Sequence, residues 1–272
     1  MKTAGEILKL SIEYLSSKNM DRARRISEDL LAHALNLTRM ELYVQYDRPV
    51  EEKELSMFRE QLKRSLKEEP VQYILGEVEF YNCLIAVDPR ALIPRPETEL
   101  LVDMIVPSVQ KETLWDLCTG SGCIGIALKK ANPKLNVILS DISAEALSLA
   151  RENAVRNEVE VQCVQGDLFE PFRGGKADVI VCNPPYIAAS EYSKLEPSVR
   201  NFEPKLALVA GEKGIEFYER IQRDIDAYLN PKGTLYLEIG ESQGKQLFAL
   251  FPSGELLNDW AGRPRFFIYR RQ

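Results

Sequence analysis

The sequence predicts an α/β protein with a mostly parallel sheet, helices on both faces, and a small helical bundle ahead of it. Three observations carry this. Short apolar runs alternate with amphipathic stretches from residue 114 onward, the first seventy residues show helical periodicity only, and a brief β-prone stretch lies between.

In residues 1 to about 70 each apolar series has helical spacing and is introduced by a cap. Thr3 with Glu6 and Thr38 with Glu41 have capping-box spacing, and Leu55, Phe58, Leu62 and Leu66 recur at three- and four-residue steps before Pro70. The single histidine, His33, falls on the apolar side of the second helix and reads as structural. Thirteen basic and thirteen acidic side chains make this bundle neutral, which suits a protein partner better than nucleic acid.

From Val71 to Pro96 the pattern changes to the β-prone runs Glu79-Phe80-Tyr81 and Leu84-Ile85-Ala86-Val87, separated by Asn82 and followed by Asp88-Pro89 and Pro94-Arg95-Pro96. A hairpin or two short strands should join the domains here. The expected division is a helical domain over 1–72, a β-hairpin linker over 73–97 and a catalytic domain over 98–272.

Beyond it the expected series is a strand at Leu114–Leu117, a Gly-rich turn and helix to Lys130, a strand at Val137–Ser140, a helix from Ala144, and strands at Val159–Val164 and Val179–Cys182. A helix from Tyr218 to Leu229, a strand at Thr234–Glu238, a short helix near Gln246 and a last strand at Phe266–Tyr269 follow. No internal repeat or low-complexity segment interrupts the pattern.

A chain of 272 residues with 45% hydrophobic composition can bury a large core, and a net charge of −6 gives no general attraction to phosphate backbones. Five scattered cysteines without a Cys-x-x-Cys pair fit a reducing cytoplasm, and Cys118 with Cys123 are spaced unlike a zinc site, so no metal is expected. No apolar stretch approaches the roughly 18 to 20 residues that cross a bilayer, and Met1 to Glu6 lack the apolar run of a signal peptide. The expectation is a cytoplasmic protein without membrane contact.

Chemistry concentrates at the ends of the expected strands. In Asp116-Leu117-Cys118-Thr119-Gly120-Ser121-Gly122-Cys123-Ile124-Gly125, a buried-type strand runs through small residues into a helix, a place where backbone can approach a cofactor. Gly120, Gly122 and Gly125 also satisfy G-x-G-x-x-G, a weak signal that keeps a nicotinamide dinucleotide open. Asp141 ends the next strand, placed to accept from two ribose hydroxyls, and Asp167 with Leu168 follows the third, suited to an adenine amino group. Such acids can also serve only as helix caps.

The sharpest signal is Asn183-Pro184-Pro185-Tyr186 directly after Asp178-Val179-Ile180-Val181-Cys182. Pro185 forces residue 184 into extended conformations, and neither proline has an N–H. The run offers two acceptors, the Asn183 side-chain oxygen and the Pro184 carbonyl, to a planar NH2 group that the Tyr186 ring can cover. This suits methylation of an amide or aromatic amine, where orientation matters more than a strong base. A plain strand-ending turn is the bland alternative.

With these motifs the chain resembles a Rossmann-like class I methyltransferase with a mostly parallel seven-stranded sheet. More closely, it resembles the HemK/PrmC family of peptide chain release factor glutamine methyltransferases. The similarity includes Pro70-Val71-Gln72-Tyr73-Ile74-Leu75-Gly76, Leu92 to Glu99 (LIPRPETE), Phe202-Glu203-Pro204 with Ala207-Leu208, and Ala261-Gly262-Arg263-Pro264-Arg265. The resemblance implies a helical domain that binds the release factor and a catalytic domain that uses S-adenosylmethionine, leaving S-adenosylhomocysteine. The acceptor would be the side-chain nitrogen of the glutamine in the Gly-Gly-Gln loop of class I release factors, as part of translation termination.

It further implies that Cys118, Thr119, Gly120, Ser121 and Gly122 hold the methionine part of the cofactor, Asp141 with Ile142 its ribose, and Asp167 with Leu168 its adenine. Asn183, Pro184, Pro185 and Tyr186 would hold the substrate amide, and Arg95, Glu97 and Thr98 would line the cofactor side. Cys118 departs from the family, which usually has the first glycine of the loop there. An amino-methyltransferase acting on adenine or cytosine of DNA or RNA would use the same Asn-Pro-Pro-Tyr run on a flipped base. A nicotinamide oxidoreductase leaves that run unexplained, and a binding protein on an inactive methyltransferase domain conflicts with two complete sites.

Overall fold

Both sequence-predicted capping boxes form in the computed structural model, which describes all 272 residues. Thr3 starts α1 (Ala4–Ser17) and Thr38 starts α3 (Arg39–Val44), each side chain accepting from the backbone N–H three residues on while Glu6 or Glu41 reaches back. With α2 (Ala23–Ala34), α4 (Glu52–Ser65) and α5 (Val71–Leu75) they enclose Ile7, Leu8, Leu30, Leu31, Leu42, Phe58 and Ile74. Burial of each such side chain stabilises by roughly 1.5–3 kcal/mol. His33 lies 2.7 Å from Gln61, ring Nδ1 to amide Nε2.

A short helix runs from Val71 to Leu75, the last three residues of which the sequence division places in the hairpin linker. These residues are β-prone by type, yet Pro70 caps a helical turn, Tyr73 and Ile74 are buried, and Gly76 ends the turn at φ +80°. Chain contacts define two units, Met1–Gly76 with Pro197–Phe202, and Glu77–Glu196 with Glu203–Gln272.

The second unit opens with a hairpin of β1 (Glu77–Phe80) and β2 (Cys83–Ala86), turned by Tyr81 and Asn82 at φ +43° and +60°. Helix α6 (Pro96–Ile105) follows, with proline in its first turn. Then come β3 (Thr113–Leu117), α7 (Cys123–Ala131), β4 (Asn136–Asp141), α8 (Ala144–Arg156), β5 (Gln162–Gln165) and β6 (Ala177–Cys182). After β7 (Ile187–Ala188), α9 (Pro197–Phe202) and β8 (Val209–Gly211), the chain forms α10 (Glu216–Tyr228), β9 (Leu229–Glu238), α11 (Gly244–Leu250), β10 (Glu255–Asn258) and β11 (Pro264–Arg270).

Seven strands join in the order β10-β11-β9-β6-β3-β4-β5, parallel from β9 to β5, with β11 antiparallel to both neighbours. This is the class I methyltransferase fold expected from sequence. Strand β10 was not foreseen, because Glu255 to Asn258 alternate weakly at a sheet edge, and β5 begins later than expected. Chain order runs outward from β3 to β5, then returns to β6 on the other side of β3. That reversal opens a crevice at the carboxyl ends of β3, β4 and β6.

Helix α8 also holds the hairpin. Asn153 accepts from Ala86 N–H at 2.7 Å and donates to the Ala86 and Ser121 carbonyls, while Asn157 accepts from Leu84 N–H and donates back to the Leu84 carbonyl. The hairpin and the Gly-rich loop thus share one buried side chain.

Candidate active site

A cavity of about 230 Å³ lies at the crevice, within the second unit. The loop after β3 forms its floor. Asp116, buried near the end of β3, accepts the Thr119 hydroxyl at 2.6 Å and the Gly125 N–H at 3.0 Å on one oxygen, which folds the loop back onto the start of α7. Burial pushes the Asp116 carboxyl up to about 7, although Thr119 and Gly125 oppose the rise. Its second oxygen is buried without a partner.

The glycines of the loop have different tasks. Gly120 has φ +55°, and a Cβ there would meet only Ala91 at 3.8 Å, so its backbone faces open space. A Cβ on Gly125 would stand 2.3 Å from Leu139, so this glycine serves the packing of α7 on β4. Cys118 adopts φ +55°, a left-handed conformation that disfavours any side chain with a Cβ.

Asp141 ends β4. One of its oxygens accepts the Gly120 N–H at 2.9 Å and the other the Ser143 N–H at 3.0 Å. Each oxygen keeps a further acceptor site, which a pair of ribose hydroxyls can take. Burial raises the Asp141 carboxyl, while hydrogen bonds from Ser143, Gly120 and Ile142 hold it down. Ile142, 49% exposed, and Phe217 add apolar surface to the cavity lining, fit for an aromatic base. The residues present therefore fit an adenosyl cofactor.

Asn183 and Pro185 line the cavity from the end of β6. Burial, then the charge of Glu238, raises the Tyr186 phenol. The turn after Tyr186 is held by Gln243, whose amide donates to the Tyr186 and Gly214 carbonyls and accepts from Gly240 N–H. Arg95 lines the cavity and pairs at 2.5 Å with Glu203, a fully buried carboxylate that also accepts the Ile93 N–H. Thr98 lines it too and donates its hydroxyl to Glu238 at 2.7 Å.

Of the residues singled out by sequence, Cys118, Thr119, Gly120, Ser121, Asp141, Ile142, Asn183, Pro185, Arg95 and Thr98 come together around the cavity. Gly122, Glu97, Asp167, Leu168, Pro184 and Tyr186 do not line it. Asp167 pairs with Arg220 at 2.8 Å, and Leu168 is buried in the core beside Phe169. Sequence reasoning missed Phe217, Glu203, Glu238 and Gln243. Phe202-Glu203-Pro204 was visible as a motif, but nothing in it discloses a partner in Arg95.

Two family models match the chain: the methyltransferase small domain over residues 96–197 and the PrmC N-terminal domain over 6–76. The release factor glutamine methyltransferase of Chlamydia trachomatis serovar D is 40% identical over 98% of this chain and 94% of its own length. The chain belongs to the release factor glutamine methyltransferase family. The family member of Geobacter sulfurreducens is 39% identical over 92% of this chain and 88% of its own. Among solved structures, the T. thermophilus 16S rRNA N2 G1207 methyltransferase in complex with AdoMet and guanosine shares the fold, with a TM-score of 0.54 at 15% identity, covering 72% of this chain and 50% of its own. As a methyltransferase of this family, the chain works with a cofactor of the S-adenosylmethionine type. No group of three or more His, Cys, Asp or Glu side chains is placed to hold a metal, and no helix is long and apolar enough to cross a membrane.

Proposed function

We propose that this chain transfers a methyl group from S-adenosylmethionine to the side-chain amide nitrogen of the glutamine in the Gly-Gly-Gln loop of class I peptide chain release factors, in the cytoplasm. The observation that carries this reading is the 40% identity to a release factor glutamine methyltransferase over 98% of the chain. The geometry agrees, because the Gly-rich loop and Asn183 open onto one cavity.

Bound S-adenosylmethionine supplies an electrophilic methyl group on a sulfonium. Cys118 to Ser121, backed by Gly122, would hold its methionine part and Asp141 with Ile142 its ribose; Asp167 with Leu168, which stand outside the cavity lining, would meet its adenine only once Asp167 gives up its pair with Arg220. The Asn183 side-chain oxygen and the Pro184 carbonyl accept the two N–H bonds of the glutamine amide, which fixes the nitrogen and its direction of approach. Tyr186, which stands behind the lining, would cover the amide plane only once its ring turns toward the cavity. Arg95 and Thr98 line the cofactor side, with Glu97 beside them outside the lining. The amide nitrogen loses its proton after transfer, so no strong base is required. The helical unit, in this reading, holds the body of the release factor.

The test is transfer of labelled methyl to a purified class I release factor with the Gly-Gly-Gln glutamine intact or changed to alanine, with DNA and ribosomal RNA in parallel. Label on the intact factor alone is expected. Label on nucleic acid alone would replace this reading with that of an amino-methyltransferase.

A further inference from the structure

Glu238 is the least explained charge near the cavity. It ends β9, is 2% exposed, and does not itself line the cavity. Its Oε2 accepts the hydroxyl of Thr98, which does line it. A buried acid this close to a ligand site is costly unless something offsets its charge. No cation pairs with it directly: Arg265 makes its ion pair with Asp259 at 3.8 Å, and Arg95 makes its own with Glu203 at 2.5 Å.

We propose that Glu238, acting through Thr98, is a positioning residue that makes the cavity favour the cationic methyl donor over its neutral product. This inference rests on the reading of the cavity as the S-adenosylmethionine site. The two ligands share the adenosine and the amino-acid group and differ by one methyl and one positive charge on sulfur. With its proton on Glu238, the Thr98 oxygen faces any ligand as an acceptor only. The carboxylate behind it adds a negative charge in a medium of low dielectric. Ionised, the pair favours the sulfonium before transfer and loosens the hold on the thioether afterwards, which aids product exchange.

Burial pushes the Glu238 carboxyl up to about 7, with Thr98, Arg265 and Arg95 lowering it and Glu97 raising it. The other groups facing it are Tyr186, Tyr218, whose hydroxyl donates to the Glu238 backbone carbonyl, and Cys123 on α7. The preference for the donor should therefore rise with pH across neutrality.

Calorimetric titration of the full chain with S-adenosylmethionine and with S-adenosylhomocysteine, at pH 5.5 and 8.5, tests this without turnover. The ratio of the two dissociation constants cancels the shared amino group. In the unaltered chain the preference for the donor should grow about five-fold or more at the higher pH, as a unit charge acting at an effective dielectric of about 20 would give. Asp116 ionises in the same window beneath the loop, so the measurement is made in an Asp116→Asn background, where Glu238→Gln should leave the ratio unchanged with pH. Thr98→Val removes a hydrogen bond that favours the ionised acid and should move the transition to higher pH, while Thr98→Ser should restore it. If Glu238→Gln does not fold, the Thr98 pair carries the test. With Asp116 replaced by asparagine, binding of both ligands with a ratio insensitive to pH, or a change of the same size in Glu238→Gln, overturns the inference alone. Failure of the unaltered chain to bind either ligand overturns the site reading and this inference with it.

Discussion

The side-chain amide of Gln243 donates to the backbone carbonyl of Tyr186 at 2.9 Å, so a residue on the approach to α11 fixes the turn that leaves Asn183-Pro184-Pro185-Tyr186. The same amide bonds Gly214 and Gly240. Gln243→Ala leaves three backbone groups without that partner and should destabilise the chain by about 1–3 kcal/mol. Methyl transfer should fall by roughly ten-fold or more while S-adenosylhomocysteine still binds, since a displaced substrate group costs rate first. Urea unfolding beside a transfer assay would check both. Unchanged kcat would show that the turn holds without Gln243.

Asn183 and Asp141 should separate by their effects. Asn183→Ala is expected to lower transfer by on the order of 100-fold with cofactor affinity largely kept, because its acceptor serves the reacting amide. Asp141→Ala should weaken cofactor binding by roughly ten-fold or more, having lost the acceptors for two hydroxyls. Calorimetry with S-adenosylhomocysteine on both variants decides. Equal loss of binding would contradict the division of roles.

Asp116 makes stability depend on pH. Its carboxyl stands at about 7 in the folded chain against 3.8 for the free group, because it is buried. The folded state therefore holds the proton more tightly. The stabilisation is fully present below about pH 4 and is lost as pH rises through 7. Asp116→Asn cannot ionise, so the stability of the unaltered chain relative to this variant should fall across that window, by on the order of 4 kcal/mol at most. Glu238 titrates in both proteins and cancels. Denaturant midpoints at pH 5 and 8 would show the change, and a constant difference would mean that Asp116 stays ionised.

Cys118 carries a backbone strain that glycine would not. Its φ of +55° costs roughly 1–2 kcal/mol for a residue with a Cβ, whereas glycine adds about 0.5–1 kcal/mol of unfolded-chain entropy. Cys118→Gly should accordingly be neutral to slightly stabilising and keep methyl transfer. Cys118→Val should lower stability by about 2 kcal/mol, since a β-branched side chain fits this conformation worst. Thermal unfolding of both variants tests the order. A stabler valine variant would show that the loop relaxes.

The α/β order, the Gly-rich loop, Asp141 and Asn183 were legible because each rests on local pattern: a periodicity, a strand followed by small residues, a proline pair. The left-handed Cys118 was visible only as a departure from a family habit. Glu203 and Glu238 were not legible as site residues. Their significance lies in Arg95 and Thr98, more than a hundred positions away along the chain, and no spacing rule connects them. Tyr73 to Leu75 were placed in the hairpin linker because the change of pattern was set at Val71, whereas the cap at Pro70 and the burial of Tyr73 and Ile74 make them the end of a helical turn. Asp167 sits where an acid at a strand end should, yet Arg220 engages it.

The two asparagines of α8 do for β2 what a third strand would. An exposed strand flank is a template on which another chain can add itself, and proteins commonly blunt it with charge, proline or a bulge. Here a helix presents two amide groups, Asn153 and Asn157, at the spacing of alternate strand residues, and occupies the N–H and carbonyl groups of Leu84 and Ala86. A side chain cannot propagate a ladder as a strand does, so pairing ends there. One of the two asparagines, Asn153, also donates to the Ser121 carbonyl of the loop at the crevice, so a single side chain both closes the strand's free flank and ties it to the cofactor loop.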